Sequence, residues 1–174
     1  MLTLRKFEAM DTEIIASRLN LDLDGAKNLI NEWNTRIFNG NYFEMFAIIN
    51  NDTVVGMISM YEHSKSVISI GPEIFEEYRR QGFAKSAMEK VISIAQRKQY
   101  AIVLQHVRIN NEASIKLHES LNFEKDNSIY KNKRGKIIAP KNTNLIKFLQ
   151  FFEIYIQLNI LPIGLDNLLA LNYK

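Results

Sequence analysis

The chain has 174 residues, 47% of them hydrophobic and 24% charged, the length and composition of one globular domain with its own core. A formal net charge of +3 comes without a basic block or tail, which argues against a nucleic-acid binder. The absence of cysteine excludes disulfides, thiolate metal sites and a thiol nucleophile. The opening MLTLRKFEAMDTE lacks the apolar run of a signal peptide, so a cytoplasmic protein is expected.

Leu2 to Arg5 reads as a short strand. Asp11 caps a helix reaching to about Leu19, and Asp24 caps a second in which Ala26, Leu29, Ile30, Trp33 and Ile37 recur at helical spacing, with Gly40 at its C-terminus. Three strands follow, Tyr42 to Ile49, Thr53 to Tyr61 and Val67 to Ile74. The turns between them, Asn50-Asn51-Asp52 and the one near Ser64-Lys65, are short, which predicts an antiparallel meander. From Gly82 to Lys98, Phe83, Ala84, Ala87, Met88, Val91, Ile94 and Ala95 form one apolar helix face against a polar one. Ala101 to Val107 is a strand, Asn111 to Leu121 a helix with Asn111 as N-cap, and Phe123 to Tyr130 another strand. The unit from Val67 to Val107 is strand, helix, strand, so its two strands are expected to be parallel neighbours joined by a right-handed crossover.

Beyond Tyr130, Lys131 to Lys136 reads as a hairpin turn, and Ile137 to Ala139 as the start of a strand that Pro140 interrupts. From Asn144 to Ile160 the polar Lys147, Gln150, Glu153 and Gln157 recur at spacings of three and four among apolar residues, which predicts a helix with a narrow wet stripe. Those polar groups argue against a membrane span. Such a helix either covers the sheet of its own chain or forms a homodimer interface, and the latter is the preferred reading. The expected division is therefore residues 1–140 as the principal domain and 141–174 as a C-terminal apolar helical extension.

Arg79-Arg80-Gln81-Gly82-Phe83-Ala84 stands between a strand and the start of the long helix. The first amides of a helix lack internal partners and the helix dipole adds positive potential, so this junction can hold an anion. Gly82 permits close backbone approach, and Arg79, Arg80 and Lys85 add charge. Neither a Walker loop nor a dinucleotide fingerprint fits, because their glycines are missing. By itself the hexapeptide also fits a glycine cap flanked by surface arginines. Downstream stands Asn110-Asn111-Glu112-Ala113-Ser114-Ile115-Lys116-Leu117-His118-Glu119-Ser120-Leu121-Asn122-Phe123.

With both stretches in view, the sequence resembles the GNAT superfamily of N-acetyltransferases over roughly residues 1–130. Arg79, Gly82 and Ala84 match the cofactor motif Arg/Gln-x-x-Gly-x-Gly/Ala. Asn111, Ser114, Leu117, His118 and Phe123 match Asn-x-x-Ser/Ala-x-x-Leu-Tyr/His-x-x-x-Gly-Phe, with Asn122 in place of the glycine. The resemblance implies an α/β (α+β) fold: a mixed, mostly antiparallel sheet flanked by helices and splayed between its fourth and fifth strands, here followed by an atypical extension. It implies acetyl-CoA as co-substrate, with no metal, the pyrophosphate on the helix near Gly82 (Arg79 to Lys85), and Glu73 and Ile74 supplying backbone bonds to the pantetheine arm. The N–H near Ile74 would polarise the thioester carbonyl, and Asn111 is expected either to contact the cofactor or to cap its helix.

The expected reaction is direct attack of a primary amine, from a small molecule or a peptide N-terminus, in a ternary complex. His106 is the expected general base, with Glu73 as the competing carboxylate; an imidazole with a pKa near 6.5 is substantially neutral at pH 7. His118 takes the place where relatives often carry a tyrosine as general acid, and it is either that acid or a packed helix residue. Tyr130 is a weaker candidate for the acid, and His63 has only a loop position to suggest it. The alternative function is a non-catalytic acyl-CoA-binding sensor or interaction module. No nucleic-acid or membrane partner is expected.

Overall fold

The computed structural model describes residues 1–108, 110–126 and 143–149. β1 (Thr3–Lys6) leads through a 3-10 turn into α1 (Thr12–Leu19) and α2 (Leu23–Asn34). The two-residue β2 (Ile37–Phe38) and β3 (Asn41–Asn50) form a hairpin, followed by β4 (Thr53–Ser64) and β5 (Val67–Ile74). α3 (Phe83–Arg97) crosses over to β6 (Ile102–Arg108); α4 (Glu112–Glu119), β7 (Glu124–Asp126) and β8 (Thr143–Leu149) complete the described chain. The sheet order is β1-β3-β4-β5-β6-β8-β7, with β2 attached to β3. All pairings are antiparallel except β5 with β6, the parallel pair that the crossover demands.

Helices cover both faces of this sheet. On one, Ala87, Met88, Val91 and Ala95 of α3 pack on Ile48, Ile58, Met60, Ile68, Ile70 and Val103. On the other, Ile15 and Ala16 of α1 and Ala26 and Ile30 of α2 pack on Ala47, Ile49, Val54 and Met57. The alternation of core membership along β3, with Phe46 and Ile48 on one side and Ala47 and Ile49 on the other, is the period of two that a doubly covered strand requires. The two buried carboxylates are paired. Asp11 accepts from Arg5 at 2.6 and 2.8 Å and from the Glu8 amide, which fastens β1 to the start of α1. Glu44 accepts from the Tyr42 hydroxyl and lies 3.0 Å from Arg36.

Several sequence expectations shift. α2 is capped by Asp22, whose carboxylate accepts from the Gly25 amide at 2.7 Å, rather than by Asp24 in its first turn. Ile37 leaves the helix for β2, and Gly40 is not a helix cap: at φ +79° it closes the β2–β3 turn, beside Asn39 at +50°. Asn51 and Asp52 both take positive φ, as a tight two-residue hairpin loop needs.

The largest correction lies at the C-terminal side. Residues 143–149, most of them expected to open a helix, form β8, which sits between β6 and β7 and bonds to both, with Gln105 opposite Ile146 and Glu124 opposite Lys147. A short apolar run fits helix and strand alike by periodicity, and here two unfilled strand edges decide it. These residues therefore belong to the principal sheet and not to an appended helix. The rest of that expected helix (150–160), the hairpin turn and strand start at 131–140, and Tyr130 lie outside the described residues.

Gly56 fixes the end of β5. A β-bulge in β4 opposite Ile48 and Ile49 brings the Gly56 backbone so near its partner Ile74 that an added methyl group would lie 2.3 Å from the Glu73 carbonyl oxygen and 3.0 Å from the Ile74 Cα. Gly56→Ala is expected to lower unfolding stability by about 1–3 kcal/mol, the usual cost of overpacking a site that cannot yield. Urea unfolding checks this: the midpoint should fall at constant m-value.

Candidate active site

The loop before α3 descends from a 3-10 turn, Glu76–Tyr78, through Arg79, Arg80 and Gln81 to Gly82. Arg80 holds φ +63° and Gly82 φ +82°. The arginine accepts a left-handed backbone that costs a residue with a side chain about 1 kcal/mol, and the glycine accepts the same at no such cost. Among the described residues nothing lies within 4 Å of where a Gly82 side chain would begin, so the glycine serves conformation and access rather than packing. Gly82 is the N-cap of α3 and offers no side-chain acceptor; the first amide to bond back is that of Ser86, to the Gly82 carbonyl at 3.1 Å. The preceding amides of Phe83, Ala84 and Lys85 therefore have no helical partner, beside the exposed side chains of Arg79, Arg80 and Lys85. That is an anion cradle at the positive end of a 15-residue helix. Gln81 is also exposed, its amide reaching back to the Glu77 carbonyl at 3.4 Å, whereas the Phe83 ring packs against the core and contributes only backbone here.

This cradle opens onto a gap in the sheet. β5 and β6 pair only at Val67 with Ile102, Ile68 with Val103 and Ser69 with Leu104. Past that point β6 bonds to β8 on its far side, while β5 continues along β4 to Ile74. The direction of the free β5 groups follows from alternation. The Ser66 carbonyl accepts from the Ile102 amide on the β6 side, and the Phe75 amide donates to Val55 on the β4 side at 3.0 Å. Even-numbered residues of β5 therefore turn their backbone polar groups toward β6, and past Ser69 toward the gap. Ile74 is one of them. Its carbonyl accepts from Arg79 Nε at 3.2 Å, and its N–H faces the open side. Glu73 has the opposite sense: its backbone faces β4, while its exposed side chain stands on the α1/α2 face, opposite Met57. The expected backbone contribution to a strand-like ligand thus belongs to Ile74, and Glu73 brings only its carboxylate.

α4 lies downstream of the gap. Asn111 caps it, its Oδ1 accepting from the Ser114 amide at 3.1 Å, so this side chain is engaged as a cap. His118 is 1% exposed. Its Nδ1 lies 2.7 Å from the Ser114 carbonyl, which can only accept, so the ring proton is on Nδ1. Nε2 then carries a lone pair and has no hydrogen-bond partner among the described residues, and the ring meets Phe123 edge-on at 5.0 Å. Burial pushes its pKa below the usual 6.5, only partly opposed by the Ser114 bond, so the ring is neutral at pH 7. An imidazolium acid is not what this packing provides, and in this tautomer Nε2 has no proton to donate. His106 lies in β6 with its backbone opposite Leu145; its side chain lies outside the described residues.

Four features escaped the sequence reading. Pro72 is an even-numbered residue on the open stretch of β5 and has no N–H to offer the gap; a proline inside a strand was the signal for an unpaired edge. Gln105 extends its amide toward Gly71 across the apex of the gap. Arg18, in the last turn of α1, pairs with Glu77 (one contact at 3.0 Å) and lies 4.5 Å over the Phe75 ring, joining α1 to the turn before the cradle. Gly56 had no local signal, because its partner lies on another strand. Among the described residues no cluster of His, Asp and Glu could hold a metal ion, and no helix is long and apolar enough to cross a membrane.

Comparison with known proteins agrees with this fold. A prophage-derived uncharacterized N-acetyltransferase, YokL, of Bacillus subtilis (strain 168) is 27% identical over 133 residues, 72% of each chain. The structure of a spermidine N-acetyltransferase from Vibrio cholerae, in complex with CoA and spermine, superposes with a TM-score of 0.68 at 17% identity, covering 86% of this chain and 95% of that one. That of a putative acetyltransferase from Salmonella typhimurium with its cofactor acetyl-CoA gives 0.63 at 15% identity, covering 86% and 94%. The model of the acetyltransferase (GNAT) family matches residues 7–123, which contain the α1/α2 layer, the anion cradle and the open edge of β5: the chain belongs to that family and is an acyltransferase.

Proposed function

We propose that the protein transfers an acetyl group from acetyl-CoA to a primary amine by direct attack in a ternary complex. The observation that carries this is the continuity of the uncapped α3 terminus with the unpaired edge of β5: a phosphate-binding end leads directly into a strip of backbone able to pair with an amide-bearing arm. In this reading the amides of Phe83, Ala84 and Lys85, with Arg79 and Arg80 nearby, hold the pyrophosphate, and the Ile74 N–H bonds to the pantetheine arm. Engagement of the Ile74 carbonyl as well would require Arg79 Nε to leave it.

The α1/α2 face is the acceptor side. The amine nitrogen bonds to the thioester carbonyl carbon, the carbon–sulfur bond breaks with its electron pair to sulfur, and the nitrogen gives up a proton while the thiolate takes one. His106 receives the amine proton in this reading, and Glu73, on the α1/α2 face, is the alternative base. The buried His118 is then a packing residue: it fixes α4 on Phe123 and gives no proton to sulfur. The acceptors named for similar proteins, spermidine among them, set the first panel of amines to try. The enzyme is read as cytoplasmic and homodimeric. The apolar run after residue 149 is the surface for self-association, so a chain ending at 149, which keeps β8, should sediment as a monomer while the full chain sediments as a dimer.

Two variants test the site. Gly82→Glu puts a side chain on a left-handed backbone and a negative charge where the pyrophosphate would lie; CoA affinity by calorimetry should fall beyond detection while the fold, by circular dichroism, persists. Retained affinity would falsify the cradle. For His118→Phe, turnover should stay near that of the wild type across pH 6–8. The same variant reports on stability. A histidine held neutral binds fewer protons folded than unfolded, so it costs stability as pH falls below about 6.5. The wild-type unfolding midpoint should therefore decline between pH 7.5 and 5.5, and the variant should flatten that part of the decline.

A further inference from the structure

Ile74 offers the gap an N–H, its carbonyl being held by Arg79 Nε, whereas Pro72, one step further in on the same side of β5, offers a carbonyl alone. An arm held by its phosphates at Gly82 and running inward along β5 brings its acyl end to the apex, near Gly71 and Pro72, about 7 Å beyond Ile74 at the ordinary rise of a strand. Charge that develops on a thioester oxygen there finds an acceptor where a donor is needed.

The apex does hold a side-chain donor. Gln105 follows Leu104, the last β6 residue paired with β5, and is half-buried. A methyl group placed on Gly71 would lie 3.5 Å from Gln105 Nε2 and 3.4 Å from Ser59 Oγ, so the Gln105 amide bridges from β6 to the surface of β5 where the strands part. Among the described residues nothing accepts a hydrogen bond from that amide. Ser59 belongs to β4, one strand further from the gap, paired with Gly71, and Gln105 alone of the two reaches in from the facing strand. The absent side chain of Gly71 leaves the space beneath the amide free.

We propose that the Gln105 side-chain amide is the donor to the thioester carbonyl oxygen at the apex, in place of the backbone N–H that Pro72 lacks. The proposal rests on the acetyl-transfer reading. As the amine nitrogen bonds to the carbonyl carbon, electron density moves to that oxygen and returns when the bond to sulfur breaks; Gln105 stabilises the charge without exchanging a proton.

The test uses the full chain, acetyl-CoA labelled with 13C at the carbonyl, and hydroxylamine, a small amine largely neutral at pH 7. In the wild type the carbonyl stretch of bound acetyl-CoA should lie below its free value. Gln105→Met keeps the length of the side chain and removes the donor. It should return the stretch toward the free value and lower kcat about 100-fold, the scale on which one such donor acts, with the dissociation constant of CoA unchanged. Pro72→Ala restores a backbone N–H at the same place, and in the Gln105→Met background it should recover both the stretch and kcat. A purely structural glutamine would not be rescued in that way. An unaltered stretch in Gln105→Met overturns the proposal, and should Pro72→Ala fail to fold, that readout decides alone. A wild type that does not bind CoA overturns instead the acetyl-transfer reading on which the proposal stands.

Discussion

The parting of β5 from β6 after the Ser69–Leu104 pair is the constraint from which the rest of the site follows. Parallel strands joined by a crossover helix ordinarily pair along their common length, and unpaired backbone inside a sheet is costly. Here β8 satisfies the far edge of β6 from Ile102 to Arg108, while the C-terminal part of β5 past Ser69 is bonded on one side only, to β4. The crossover that makes the pair parallel also sets the N-terminus of α3 at the mouth of the opening. Anion cradle and open strand edge are thus two consequences of one connection.

An open edge in the middle of a sheet must remain stable without closing, and the sequence of β5 shows how. Pro72 removes one N–H that would otherwise stand unsatisfied. Arg79 Nε occupies the Ile74 carbonyl. On the other side, Gly56 lets β4 approach so closely that the end of β5 is held by its remaining neighbour. Each device limits the exposure of the edge and also fixes what it can offer a ligand: one amide at Ile74, carbonyls at Ile70 and Pro72, and the Ile74 carbonyl only after an arginine has moved.

Much of this was legible in the sequence because it rests on short-range patterns. The apolar face of α3, the Asn-Asp turn between β3 and β4, the Asn111 cap and the strand-helix-strand unit are local signals, and the structure keeps them. The failures share a different cause. Asp22 and Asp24 are equivalent by composition, and only the geometry of the Gly25 amide selects the first. Residues 143–149 lack a decisive period and become a strand because β6 and β7 leave a slot for one. His118 matched a catalytic position by motif, but its protonation depends on burial and on the Ser114 carbonyl, and a motif specifies neither. Gln105 and Gly71 are far apart in the chain and carry no motif at all.

The two cores explain why the loop before α3 can be positioned by packing. The α1/α2 core and the α3 core lie on opposite faces of the sheet, and Tyr78 is partly buried against both. It ends the 3-10 turn immediately before Arg79, so the loop leading to α3 begins at a residue gripped from two sides. Arg18 adds a tie from α1 through Glu77 and the Phe75 ring, but its charges are solvent-exposed, where water and salt weaken such a pair. Tyr78 and Phe75, not the ion pair, therefore fix the height of the loop over the gap. The same two aromatic residues pack into the α1/α2 core, so the loop and that helical layer are held in register by the packing of one short turn.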